Sequence, residues 1–129
     1  MNDFPTMLDA LPEEWFEAYA KMLGHEPLPR EPLAQYYRTD ATLWPPPTAA
    51  LLKMARAQAK DPESTMVWFQ ISLHADGCSA YWEEFRVRQA PLRHGLGSEA
   101  DLTAMLLRLT CAPLGYEWDG KEWREGEWK

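Results

Sequence analysis

The stretch that decides the fold is residues 65–88, TMVWFQISLHADGCSAYWEEFRVR. In residues 65–75 every second side chain is apolar, which is typical of a strand with one buried face. Asp76-Gly77 is a turn signal, and residues 79–88 would form the returning strand. The stretch therefore predicts a long β-hairpin.

The register of this hairpin follows from matching its apolar residues. A three-residue loop at 76–78 pairs Phe69 with Phe85 on the inner face. A two-residue loop would instead place Glu84 opposite Phe69. Because a slip of one residue moves every side chain to the other face, the longer loop is the predicted one.

The same register predicts which side chains lie on the outer face of the hairpin. Trp68 is expected opposite Arg86, with Glu84 and Trp82 further along that face. Tryptophan and arginine are enriched at the energetic centres of protein interfaces. These four residues are therefore the candidate partner-binding residues of the hairpin.

The segment before the hairpin predicts short helices joined by proline-containing connectors. The apolar spacing predicts a helix at 12–23, ended by Gly24. Further helices are expected at 32–38 and 48–60, and residues 6–9 have the pattern of a helix start. The first half of the chain is therefore predicted to be helical.

A fourth helix is predicted after the hairpin. Residues 90–97 are expected to form a loop. Ser98 and Asp101 have the spacing of a capping box, and leucines follow at helical intervals. The predicted helix covers residues 98–110.

The C-terminal residues 114–129, LGYEWDGKEWREGEWK, predict a second hairpin. Asp119-Gly120 fits a two-residue turn. That turn would place Trp118 and Trp123 on one face, where large aromatic side chains are expected to join the core.

The other side chains of this hairpin are candidates for binding a partner. With the two-residue turn, Glu117 faces Glu122, and two carboxylates side by side favour solvent or a cation. Trp128 lies near the end of the sequence given, where burial is least assured. Glu117, Glu122 and Trp128 complete the set of candidate partner-binding residues.

The order of the elements predicts an α+β fold. About four helices, three of them N-terminal and one between the hairpins, would pack on a small antiparallel sheet of two β-hairpins. A chain of 129 residues suits one domain. We expect a single domain over 1–129, helical at 1–62 and hairpin-helix-hairpin at 63–129.

Composition narrows the classes of partner and compartment that we expect. The net charge of −7 disfavours direct binding to nucleic acid or to anionic membranes and favours a basic protein partner. The sequence contains no apolar run long enough for a membrane span and no signal-peptide pattern at its start. With two cysteines, the usage is that of a reducing compartment, so we expect a cytoplasmic protein.

Two patterns could carry chemistry, and both are weak. His74, Asp76 and Cys78 surround one turn, but the paired ligand spacing of a zinc site is missing. Cys78 or Cys111 could pair with a histidine as a nucleophile, but no local signature accompanies either. We therefore expect no metal, no cofactor and no catalytic residues.

Three classes of function follow. The first is a protein-binding module, an inhibitor that occupies a basic surface of its partner, for example a nucleic-acid-binding one. In size and charge alone the chain is similar to phage-encoded inhibitors, including anti-CRISPR proteins, and to immunity proteins. The alternatives are a structural subunit that self-associates, for instance as a homodimer, and a small enzyme without a recognisable motif.

Overall fold

The computed structural model describes residues 4–24, 33–39, 44–61, 64–85, 88–90 and 92–125. Over these residues the fold is α+β, as predicted, with five α-helices, a three-stranded antiparallel sheet and a two-stranded one. The elements are α1 (Phe4–Asp9), α2 (Glu13–Leu23), α3 (Leu33–Arg38), α4 (Thr48–Lys60), β1 (Met66–His74), β2 (Gly77–Glu84), β3 (Leu92–Glu99), α5 (Leu102–Cys111), a 3₁₀ turn (Ala112–Leu114), β4 (Tyr116–Trp118) and β5 (Trp123–Glu125).

Helix α2 is stabilised by the residues at both of its ends. Glu13 and Glu14 lie in the first turn and Lys21 in the last, so their charges oppose the helix dipole. Gly24 ends the helix with a φ of 74°, and its N–H bonds to carbonyls of the last turn. The helix predicted at 12–23 is confirmed.

The other N-terminal helices match the prediction less evenly. Helices α3 and α4 lie where the sequence predicts them. Helix α1 begins at Phe4, so Thr6 lies inside it and the predicted helix start at Thr6 is wrong. Trp123 Nε1 donates to the Met7 carbonyl at 3.0 Å, which ties this short helix to the C-terminal hairpin.

Trp15 joins α2 to α5 in the core. It is fully buried and stacks on Tyr19 with 4.8 Å between ring centroids. Its Nε1 donates to Thr110 Oγ1 at 2.9 Å. Because an unpaired buried N–H costs free energy, this hydrogen bond fixes the two helices in one orientation.

The register of β1 with β2 differs from the predicted one. Phe69 pairs with Trp82 and not with Phe85. The strands are joined by a two-residue turn at 75–76 rather than by a three-residue loop, and β2 ends at Glu84. The predicted loop and pairing are therefore wrong.

Alternation within β2 explains the observed register. Cys78, Ala80 and Trp82 are buried, whereas Ser79 and Tyr81 between them are only half-buried. This set of small and aromatic side chains fits beneath a helix, and a buried set decides which face of a strand points inward. The predicted register instead matched Phe69 to Phe85 and did not use this alternation.

Strand β3 occupies the segment predicted as a loop at 90–97, and that prediction is wrong. It pairs with β2, placing Glu83 opposite Arg93. Gly95 and Gly97 hid the strand, because glycine is depleted in strands. Gly97 has a φ of 77° where the register shifts, a conformation that glycine adopts without a steric cost.

Helix α5 begins at Leu102, later than the predicted helix at 98–110. The capping residue is Asp101, whose Oδ1 accepts from the Thr103 N–H at 3.1 Å. Ser98 belongs to β3 and caps nothing. The predicted capping box therefore identified a real helix but placed its start wrongly.

The three-stranded sheet packs on two helices. Helix α4 lies against β1, and α5 lies against β2 and β3. Cys78, Ala80, Trp82 and Leu96 are buried on this side, which we call the covered face. The opposite side, made of the alternating residues of the same strands, is the open face.

The C-terminal hairpin also has a different register from the predicted one. Trp118 pairs with Trp123, and Glu117 pairs with Arg124 rather than with Glu122. The predicted two-residue turn is therefore wrong, and the loop is longer. The observed pairing replaces two facing carboxylates by opposite charges, which is the more favourable cross-strand arrangement.

The tryptophans of this hairpin join the core, as predicted. Trp118 is buried, and Trp123 packs half-buried against the core with 5.2 Å between the two ring centroids. Asp119 Oδ1 accepts the backbone N–H groups of Lys121 and Glu122, each at 2.8 Å. These bonds hold the wider loop closed.

Candidate protein-interaction surface

The open face carries the group of side chains that best fits a binding site. It presents Trp68, Gln70 and Ser72 from β1, Ser79, Tyr81 and Glu83 from β2, and Arg93 from β3. Strand pleating sends these side chains away from α4 and α5. Aromatic, polar and charged groups therefore meet on a side of the sheet that those two helices leave uncovered.

Trp68 is the most exposed tryptophan whose burial the structure describes, at 39%. Its ring contacts Tyr81 edge to face, with 5.5 Å between centroids and an interplanar angle of 82°. Its Nε1 donates to Glu83 Oε2. The ring is therefore held in one orientation while much of its surface faces solvent.

Arg93 adds a positive charge beside the two aromatic rings. Its guanidinium lies 4.2 Å from the centroid of the Tyr81 ring and 3.7 Å from Glu83. The Tyr81 hydroxyl donates to Gln70 Oε1 at 2.8 Å. Exposed ion pairs contribute little stability, so the significance of this network is that it fixes side-chain positions.

Fixed side chains are an advantage for binding. Ordering a flexible side chain on association costs free energy, which a side chain already held in place does not require again. Tryptophan, tyrosine and arginine are the residue types enriched at interface hot spots. The contact of Trp68, Tyr81 and Arg93 is therefore suited to recognising another protein.

Two of the predicted hairpin residues do not lie on this surface. Trp82 is 1% exposed and lies on the covered face, so the expectation that it faces outward is wrong. Glu84 is on the covered side as well, half-buried, with Oε2 2.7 Å from His94 Nε2. Trp68 alone keeps its predicted place, and Arg86 lies outside the described residues.

The predicted residues of the C-terminal hairpin form a separate surface. Glu117 and Glu122 are exposed, but β4 packs on α5, which lies beneath the covered face. These carboxylates are therefore on the other side of the sheet from Trp68. Trp128 lies outside the described residues.

The candidate metal ligands around the first turn do not converge. Cys78 is buried, with Sγ 3.6 Å from the Glu99 carbonyl oxygen. His74 is exposed and bonds to Ser79 at 2.9 Å. Within the part of the chain that the structure describes, no three histidine, cysteine or acidic side chains are grouped to hold a metal ion.

Both cysteines are free and buried. Burial raises the pKa of Cys78, and the carboxylates of Glu99 and Asp101 add to that effect. Burial also raises the pKa of Cys111 well above its ordinary value. Because the thiolate is the reactive form, these two thiols are poor nucleophiles at neutral pH.

Comparison with protein-family models, with curated proteins and with solved structures gives no match to this chain. None of the described helices is both long enough and apolar enough to cross a membrane.

The sequence prediction missed Tyr81, Glu83 and Arg93. The predicted pairing of Phe69 with Phe85 puts Tyr81 and Glu83 on the inner face, and Arg93 lies in the predicted loop at 90–97. A signal was present in β2 itself, where Ser79, Tyr81 and Glu83 alternate with Cys78, Ala80 and Trp82. The position of Arg93 had no such signal, because the glycines of β3 conceal the strand.

Proposed function

We propose that this protein is a protein-binding module that uses the open face to occupy a basic surface of a partner protein and thereby inhibits it. The observation that carries the proposal is that Trp68 and Arg93 both contact the Tyr81 ring on the open face of the sheet. Each is a hot-spot residue type, and together they form one connected patch.

The chemistry of the patch favours a protein over a nucleic acid. Aromatic rings and arginine can stack on bases. Here, however, Glu83 lies beside both Trp68 and Arg93, and the chain carries a net charge of −7. A phosphate backbone would be repelled by both.

The acidic charge supports a basic partner. A net charge of −7 attracts a positively charged protein over distances of about a Debye length, roughly 8–10 Å at physiological salt. This attraction raises the rate of association more than it raises the final affinity. In the proposed complex the aromatic patch supplies the close contact and the net charge supplies the steering.

The test is affinity capture from the native cell with matched baits. The wild-type protein is compared with the double variant Trp68→Ala/Arg93→Ala and with the control Leu52→Ala. Leu52 is about as exposed as Trp68, at 40%, but lies on α4 on the other side of the sheet. A true partner is retained by wild type and control and is lost from the double variant.

Binding of the purified partner then quantifies the proposal. We expect the double variant to weaken affinity by at least about 30-fold, the effect of losing one hot spot of about 2 kcal/mol. Raising the salt concentration should slow association of the wild type. Equal capture by all three baits would contradict the proposal.

A further inference from the structure

The outer edge of β1 is the second surface with a clear chemical character. The sheet order is β1-β2-β3, so β1 pairs with β2 on one side only among the described strands. We propose that two copies of this chain pair through β1, antiparallel and about a two-fold axis at Gln70. The result is one continuous six-stranded sheet.

The two edges of the sheet differ in how they resist such pairing. Strand β3 carries Arg93, Glu99 and two glycines, and its register with β2 is interrupted in mid-strand, whereas that of β1 is interrupted only near its first residue, between Met66 and Trp68. Strand β1 has the sequence MVWFQISLH, with no acidic, lysine, arginine, proline or glycine residue. Charges, irregularities and prolines are what keep natural edges from pairing, so β1 is the less protected edge.

Two exposed aliphatic side chains specify the register. Val67 is 42% exposed and Leu73 is 73% exposed. Each is three residues from Gln70 in the sequence, and Val67 lies at the irregularity between Met66 and Trp68. An antiparallel pairing centred on Gln70 therefore brings Val67 of each copy beside Leu73 of the other, and burial of both favours the dimer.

The same register pairs residues 68–72 of one copy with residues 68–72 of the other, within the regular part of the strand. From Trp68 to His74 the pairing of β1 with β2 runs without a shift, which leaves an uninterrupted row of backbone groups along the other edge. Centred pairing places Trp68 opposite Ser72 of the second copy, a large residue against a small one. No position in this register brings two bulky rings together.

Charge also favours this edge over the remaining surface. Two copies with a net charge of −7 each repel one another. A strand without acidic, lysine or arginine side chains is where they can approach without adding a contact between like charges. Salt should therefore strengthen the dimer by screening the overall repulsion, opposite to its effect on a complex with a basic partner.

The first test is the mass in solution over a range of protein concentrations, by sedimentation. We expect a concentration-dependent rise from 14.9 kDa toward twice that value. Leu73→Lys should weaken the dimer at least tenfold, because it places a charge at the pairing edge. The matched control is Leu92→Lys on β3, where the side chain is 41% exposed, and it should leave the dimer unchanged.

The second test fixes the register. In the proposed dimer residue 70 faces itself, at a distance within the range of a disulfide across paired strands. Gln70→Cys should therefore form a covalent dimer on mild oxidation, whereas Ser72→Cys should not. The natural cysteines are both buried and do not compete.

Three results would overturn the inference: a mass that stays at 14.9 kDa up to millimolar concentration, equal effects of the two lysine variants, or equal cross-linking at positions 70 and 72. A monomer that acquires a strand from a different protein would give the first result. The inference does not depend on the proposed function, because Arg93→Ala removes part of the open face without touching the β1 edge.

Discussion

The covered and open faces of the sheet are built from alternate residues of the same strands, yet one is buried and the other is exposed. Trp82 is 1% exposed beneath the helical layer, whereas Trp68 is 39% exposed on the far side. Both faces carry aromatic rings, so residue type does not decide which face is buried. The helix that packs on the sheet decides it, and an aromatic ring on the other face is left for contacts of a different kind.

The largest effect that tests this contrast is the removal of each tryptophan ring. Trp82→Ala should lower the free energy of unfolding by about 3–5 kcal/mol, because it leaves a cavity between β2 and α5. Trp68→Ala should lower it by less than about 1 kcal/mol, since the ring is already partly in water. Denaturant unfolding of the two variants gives both values.

A similar loss in both variants would show that the open face is packed as tightly as the covered one. In that case Trp68 would be a structural residue and the proposed binding surface would lose its main support. Binding measurements on Trp68→Ala are interpretable only if its stability is near that of the wild type.

The sequence predicted the helices better than the sheet because helical signals are local. The ends of α2 are determined by residues within one turn of each end, such as Glu13 and Gly24. Strand register depends on which residues another element covers, and α5 is distant in the sequence from β1 and β2. Nothing within β1 shows that the partner of Phe69 is Trp82 rather than Phe85, and the one signal in the sequence is the alternation within β2.

Errors in the predicted strand register led to errors in the predicted binding residues. Trp68 was placed correctly because its side of β1 follows from alternation within that strand. Trp82 was misplaced because its side was inferred by pairing, not by the alternation of β2. Arg93 was missed because a strand with two glycines resembles a loop, and only the completed sheet brings Arg93 next to Tyr81.

The next largest effect concerns two glycines of the sheet. A Cβ added at Gly77 would overlap the backbone oxygen of Glu99, whereas a Cβ at Gly95 would meet no atom within 4 Å. Gly77→Ala should therefore lower the free energy of unfolding by about 1–3 kcal/mol, because backbone must shift. Gly95→Ala should leave it unchanged or raise it by up to about 1 kcal/mol.

Gly95 lies opposite Tyr81 on the open side of the sheet, so it serves as the matched control. Thermal unfolding of both variants under one condition suffices for the comparison. If Gly95→Ala were as harmful as Gly77→Ala, the space above the open face would be occupied, and the difference between the two faces would be smaller than described.

A smaller effect tests the start of α5, the helix that covers β2 and β3. Asp101→Ala removes the side-chain cap and should cost about 1 kcal/mol. Ser98→Ala, at the position that the sequence pattern suggests as a cap, should have an effect within about 0.5 kcal/mol. If Ser98→Ala destabilised the protein more than Asp101→Ala in urea unfolding, the helix would begin at Ser98, as the sequence pattern predicts, and β3 would end earlier.

The smallest expected effect is the pH dependence of the C-terminal hairpin, which packs on α5. Backbone N–H groups of Glu122 and Lys121 lower the pKa of Asp119, and nearby Arg124 adds to this. A carboxyl group with a lowered pKa in the folded state stabilises that state above its unfolded pKa of about 3.9. The contribution should therefore be complete above about pH 5 and be lost as the pH falls through the folded value.

An NMR titration of the Asp119 carboxyl carbon measures this directly, and its midpoint should lie below the ordinary value of about 3.9. The control is Asp119→Asn, which keeps an oxygen that can accept the two backbone N–H groups but cannot titrate. Opening of the hairpin at low pH should lose its dependence on position 119 in that variant. A midpoint at or above the ordinary value would mean that the loop is not held by this carboxylate.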